Sequence, residues 1–252
     1  MQLKQKTKNI IGGVLTAVVV ISLITIYQVF VTHGELYQIK KIHIPSDKIY
    51  LKSLLSSHNI AEGENIFSFN SSEVSKLIEN KLHHVRSVKI KKELPSDVFV
   101  EISHRIPIMR LSENLPYVTD DTGKVFMASR FNTSLDIIES IPTLIDGESA
   151  LLHPGDTLPT NAKLALQIVT KFNSILKPDF KIIQIDTNND IYIILHTSVN
   201  KQIFIPWEEI KEEEEISSAV ELAANAMSQG KNNPLMKLII LVKQGRCHFT
   251  KL

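Results

Sequence analysis

The chain has 252 residues, 43% of them hydrophobic and 22% charged, with a formal net charge of +1. That balance excludes a disordered stalk and gives no global reason to expect a nucleic-acid partner. The single cysteine, Cys247, excludes an intrachain disulfide, so the fold must be held by packing.

The run from Ile10 to Val31 contains no Asp, Glu, Lys or Arg. As a helix rising about 1.5 Å per residue it would cover roughly 30 Å, the thickness of a hydrocarbon core, so a transmembrane helix is expected over residues 10–31. Lys4, Lys6 and Lys8 precede it without an acid, which predicts a cytoplasmic tail over residues 1–9 and export of the remainder. Tyr27 and Phe30 sit near the far end of the run. A cleaved signal peptide fits less well, because its apolar region is usually about 7–15 residues and Val31-Thr32-His33-Gly34 is a poor cleavage site. A buried core helix is the remaining alternative. Gly12-Gly13, Thr16 and Ala17 leave room for helix packing in lipid, but the segment reads as positioning rather than recognition.

Beyond it, Ile39–Ile44 reads as a strand, and Ser46 or Asp47 could cap a short helix through Ser57. Asn59–Asn70 reads as a loop pinned by Phe67 and Phe69. Asn70 with Glu73 makes a start resembling a capping box, followed by the stripe Val74, Leu77, Ile78 and Leu82. Two strands follow. Val88, Ile90 and Lys92 share a face while Lys89 and Lys91 point to water; after Pro95-Ser96-Asp97, Val98, Val100 and Ile102 alternate with Phe99, Glu101 and Ser103.

The order β-α-α-β-β, with two helices on one face of a three-stranded sheet, resembles a POTRA domain. The phrases KKIHI, GENIFSFN, SSEVSKLIENKLHHV and VRSVKIKKELPSDVFVEISHRIPI are similar to pieces of the bacterial cell-division FtsQ (DivIB) family. Leu94-Pro95 matches that family's turn and Arg105-Ile106-Pro107 its closing motif, while His104 stands where the family commonly has Glu. YVTDDTGKVF resembles a further family step. The resemblance implies an α+β fold class: a single N-terminal transmembrane helix, a small β-α-α-β-β POTRA domain over residues 37–106, and a larger antiparallel-sheet β-domain with flanking helices over residues 107–252. Arg105 and Pro107 are expected to fix the hinge between the two modules, Pro107 because it pushes its predecessor toward extended geometry. The alternative for Arg105 is a strand-end residue with a packed stem and a solvated charge.

In the second module, Met109–Leu111, Pro116–Val118 and Lys124–Met127 read as short strands around the turn Asp120-Asp121-Thr122-Gly123. The two aspartates suit backbone hydrogen bonding in a turn better than metal or acid–base chemistry. Ile141–Leu144 reads as a strand, and a helix from Thr160 to Leu176 carries the stripe Leu164, Ile168, Val169, Phe172, Ile175 and Leu176. Strands at Lys181–Ile185, Ile191–Leu195 and Gln202–Ile205 form an antiparallel meander. The acidic stretch Glu208–Glu215 suits the first turn of a helix that continues through Ile216, Val220, Ala223 and Met227 to Gly230. Leu235–Val242 reads as a strand whose LIILV stretch, Leu238–Val242, is apolar on both faces, so it is either covered on two sides or waiting for a partner.

No P-loop, GxSxG elbow or HExxH is present, the nine histidines do not fall at ligand spacings, and His83-His84 point to different faces. Cys247 has no base near it in sequence and reads as a small hydrophobe. No enzyme, metal or cofactor is expected. The sequons Asn70-Ser71-Ser72 and Asn132-Thr133-Ser134 are chance matches outside a eukaryotic secretory pathway.

The resemblance implies a non-enzymatic scaffold in the bacterial cytoplasmic membrane at the division septum. Its partners would be the exported parts of the small coiled-coil division proteins FtsB/DivIC and FtsL, a complex that controls septal peptidoglycan synthesis. In that family a partner strand extends the C-terminal edge of the sheet. By position, the edge here comprises Leu238, Ile240, Val242, Gln244, Gly245, Arg246 and Phe249, with Val220 and Met227 on the helix beside it. The chain departs from the family pattern there, carrying Ile239-Ile240-Leu241-Val242. The alternatives are a POTRA-bearing export or assembly factor, which lacks its membrane barrel here, and an anchored cell-wall hydrolase, which lacks an acid/base pair.

Overall fold

A computed structural model describes residues 15–29, 34–45, 50–112, 116–128, 134–175, 181–199, 201–210, 213–229, 238–243 and 246–251. Lys4, Lys6, Lys8, Gly12-Gly13, Phe30, Ser46, Asp47, Asn132, Leu176, Gly230, Gln244 and Gly245 lie outside these. Among the described residues no helix is long and apolar enough to cross a membrane. The first helix, α1, covers residues 15–29 with Val18, Ile21 and Ile24 exposed. Its described residues rise roughly 22 Å, against the roughly 30 Å of a span. The span expected over residues 10–31 is therefore corrected, and with it the membrane-spanning part of the expected fold class.

The chain divides into two compact units, Met1–Leu82 with Ser87–Ser103, and His83–Arg86 with His104–Leu252. The first unit holds β1 (Lys41–His43), α2 (Leu51–Ser56), α3 (Ser71–Lys81), most of β2 (Val85–Glu93) and β3 (Asp97–His104). Its sheet has the order β1-β3-β2, with β1 parallel to β3. Ile39, Leu51, Leu55, Ile60, Ile66, Val74, Ile78, Val88 and Val98 are buried. The alternation in β2 and β3 follows the sequence, with Val88, Ile90, Val98 and Val100 inside and Lys89 and Lys91 outside.

α3 starts as its sequence demands. Asn70 has extended backbone, and its Oδ1 accepts the Ser72 N–H at 3.0 Å while its Nδ2 donates to Glu73 Oε1 at 3.2 Å. The expected stripe shifts, however: Val74 and Ile78 are buried with Ser75, while Leu77 is 49% exposed.

The second unit is built on a nine-stranded sheet, ordered β12-β11-β10-β9-β8-β7-β4-β5-β6. Its strands are β4 (Met109–Arg110), β5 (Tyr117–Thr119), β6 (Val125–Met127), β7 (Thr143–Ile145), β8 (Ile182–Asp186), β9 (Tyr192–Thr197), β10 (Gln202–Pro206), β11 (Leu238–Lys243) and β12 (Arg246–Lys251). The helices are α4 (Leu135–Ser140), which the sequence reading did not anticipate, α5 (Thr160–Ile175) and α6 (Glu213–Gln229). The meander β8-β9-β10 is antiparallel. The sheet as a whole is mixed rather than antiparallel, because β4 and β7, β7 and β8, and β10 and β11 pair in parallel. α5 lies between β7 and β8 in the chain and α6 between β10 and β11, and each brings the chain back to the end where it started, so the flanking strands run the same way.

One core joins these helices to one face of the sheet. Ile168, Val169 and Phe172 of α5 and Ile216, Val220 and Ala223 of α6 pack with Ile185, Leu195 and Ile203. Along β6, Val125 belongs to this cluster while its neighbour Phe126 joins Val118 and Ala128 in a second one, with Ile138 and Ile141 against it. Adjacent strand residues point to opposite faces, so α4 serves the face away from α5 and α6.

Asn70→Ala removes the start of α3 without touching a core side chain. Urea unfolding followed by circular dichroism should show a loss of about 1 kcal/mol; an unchanged midpoint would mean that the cap does not hold the helix.

Candidate interaction edge

An edge strand presents unpaired N–H and C=O groups, which invite another chain unless something covers them. Each unit has two such edges. In the small sheet, the chain leading into β1 is paired by a loop: Ile39 N–H donates to the Glu64 carbonyl at 2.8 Å, and Gly63 N–H to the Ile39 carbonyl at 2.9 Å. Gly63 makes this approach at φ +91°, a conformation that suits glycine. At β2 the Val88 N–H donates to Glu79 Oε1 at 2.7 Å.

In the large sheet the β6 end is closed by the segment Gly155–Leu158. Val125 N–H donates to the Asp156 carbonyl at 2.9 Å, Gly155 N–H to the Val125 carbonyl at 2.9 Å, and Leu158 N–H to the Gly123 carbonyl at 3.0 Å. Gly155 adopts φ +102°, and a Cβ there would stand 2.8 Å from the His83 ring. At the opposite end β12 pairs with β11 on one side, and no described strand pairs with its other side.

The expected edge residues divide accordingly. Leu238, Ile240 and Val242 stand in β11, an interior strand paired with β10 on one side and β12 on the other, so the expected placing of the edge there is corrected. Arg246 and Phe249 stand in the edge strand itself. Gln244 and Gly245 lie outside the described residues. The register runs Leu195, Ile203, Ile240, Phe249 across four strands, and Leu195 and Ile203 at its start are buried. α6 lies against β11 and β12. Val220 on it is buried, so it anchors the helix in the core instead of lining a groove; Met227 stands in the last turns of the same helix.

Arg105, expected at a hinge, is tied into the second unit. Its Nε donates to the His83 carbonyl at 3.0 Å and its Nη1 to Asp120 Oδ2 at 2.6 Å. Asp120 is fully buried, and its Oδ1 accepts from Thr122 N–H, Thr122 Oγ1 and Lys124 N–H. Burial pushes the Asp120 carboxyl up, but hydrogen bonds from Thr122, Arg105 and the Lys124 amide, with the arginine's charge, outweigh it and hold the pKa below the usual carboxylate range. Asp121 pairs with Arg86 at 3.0 Å on the surface. Lys124 Nζ donates to the Gly155 carbonyl. Pro107 is buried just before β4.

The Arg105–Asp120 pair was not foreseen: RxP and DDTG are separate local signals, and nothing in either names the other. His84 and His104, whose rings stack with centroids 5.5 Å apart, were also not foreseen as neighbours. Among the described residues no group of three or more His, Cys, Asp or Glu side chains is placed to hold a metal ion. What the arrangement offers is a backbone edge.

Asp120→Ala strands a buried guanidinium and should cost about 3–5 kcal/mol in urea unfolding. Because the folded-state pKa of Asp120 lies below the unfolded value, its contribution is present above the ordinary carboxylate range and is lost as pH falls through the depressed folded value. Unfolding midpoints from pH 7 downward should therefore fall more gently for Asp120→Asn than for the wild type.

Neither a scan against protein-family models nor a search of curated proteins found a match to this chain.

Proposed function

We propose that this chain is a non-enzymatic scaffold of bacterial cell division, acting at the septum and binding extended segments of FtsB/DivIC-like and FtsL-like proteins through β12. The observation that carries the reading is that no described strand pairs with the outer side of β12, in a sheet whose other end is closed by Gly155–Leu158. A partner strand would continue the ladder there, gaining affinity from main-chain hydrogen bonds and specificity from alternate side chains. The β-α-α-β-β order of the small unit and the phrases that resemble the FtsQ/DivIB family support the choice of partners. The β10–β11 pairing holds the edge strand's neighbour firmly in the sheet, so an incoming strand meets a preformed template.

Two adjacent proline substitutions test this. Along an antiparallel strand, successive amides alternate between the paired neighbour and the open side. Of His248→Pro and Phe249→Pro, one therefore removes an N–H bonded to β11 and the other an outward one. The variant that keeps wild-type stability by circular dichroism should lose capture of the FtsB/DivIC homologue in a pull-down. Full capture by that folded variant would reject strand addition at β12. A fluorescent fusion spread evenly over the envelope, with no mid-cell ring, would reject the division role.

A further inference from the structure

The outer strand of the small sheet, β2, carries a device of its own. The chain from Phe69 through α3 to Glu79 runs antiparallel to Val88–Lys92 and is bridged to it at both ends. At one end the Glu79 carboxylate accepts the Val88 amide N–H at 2.7 Å. At the other, Lys92 Nζ donates to the Phe69 carbonyl at 2.7 Å, 4.0 Å from the Phe69 ring centroid. Between these bridges Lys89 and Lys91 are exposed. Among the described residues the carboxylate set against them is Glu101, bonded to Lys91 and in the field of Lys89.

An added strand would hydrogen-bond to an amide of this kind through a main-chain carbonyl. Here a side-chain carboxylate takes that place, making a charge-assisted bond stronger than a neutral one. Among the described residues the edge is therefore capped by a movable group on a flexible stem, not by a strand or loop. Its exposed lysines favour an incoming chain that brings acids.

We propose that the β2 edge is a second strand-addition site, closed at rest by Glu79 and opened by an extended acidic segment of a partner protein. A backbone carbonyl of that segment replaces Glu79 at the Val88 amide, and its acidic side chains meet Lys89 and Lys91. The displaced Glu79 carboxylate then takes its hydrogen bonds from solvent. A basic or neutral strand does not gain the contact with Lys89 and Lys91, so selection by charge is built into the edge.

The test uses the full chain and a fluorescein-labelled peptide of about ten residues alternating Glu and Val, with a Lys/Val peptide as control. Fluorescence anisotropy should show the acidic peptide binding and the basic one not. Glu79→Ala should tighten binding about tenfold by removing the competing charge-assisted bond, and Glu79→Gln, which keeps a weaker acceptor, should fall between. The double variant Lys89→Glu/Lys91→Glu should weaken binding by at least about tenfold. Amide exchange at Val88 should speed up in Glu79→Ala and slow again with peptide. Folded His248→Pro and Phe249→Pro variants should leave this binding unchanged, which separates it from the β12 reading. Equal binding of the two peptides, no response to either Glu79 variant, or self-association of Glu79→Ala without peptide would overturn the proposal.

Discussion

Two helical crossovers determine the larger unit. A strand pairs in parallel with its successor only if the chain first travels back to its starting end, and a helix does this while burying its apolar stripe. α5 makes that return between β7 and β8, and α6 makes it between β10 and β11. The two helices also lie side by side, and α6 turns Ala219, Ala223, Ala224 and Ala226 inward. Small side chains at those positions let the helix approach its neighbours closely, while Phe172 of α5 fills the space with one large ring. Without α6, β11 would have no path into register beside β10, and β12 would have nothing to pair with.

From this follows a marked difference between the strand edges. The β6 end is closed by main-chain bonds to a neighbouring segment, and the approach to β1 by a loop. Both are permanent, because undoing them would break several backbone bonds at once. The β2 edge is covered by one carboxylate, a cover that a single rotamer change removes. The β12 edge shows no cover among the described residues. Fixed and removable covers coexist in one chain, beside an edge that has none among the described residues.

Much of this was legible in the sequence, and the exceptions have physical reasons. Alternation located β3 closely and the core of β2, because one face of each is buried and the other wet. The Asn70 cap fixed the start of α3 for an equally local reason. Periodicity is silent about strand sense, however, and the parallel pairs in the large sheet depend on which element intervenes. It is also silent about order in space: Ile239–Val242 reads the same whether it ends a sheet or lies inside one, and the edge fell one strand further on. Leu77 lay on the predicted stripe yet is exposed, because α3 turns Ser75 inward beside Val74 and Ile78. The apolar run at the start was read from length and composition, whereas the described helix within it is too short for a span. The long-range partnership of Arg105 with Asp120 had no local signature at all.

That partnership depends on the shape of the cation as well as its charge. Arg105 directs Nε to the carbonyl of His83 and Nη1 to the carboxylate of Asp120, two acceptors carried by segments far apart in the chain. A planar fork with fixed donor directions can serve both at once; an ammonium group is a single point and can sit at only one of them. Lysine at this position would conserve charge and still leave one acceptor unmet, whereas at Lys89 or Lys91, out in water, the two cations are interchangeable. Position 105 is thus constrained in stereochemistry, and a change conservative in charge there would still lose part of its bonding.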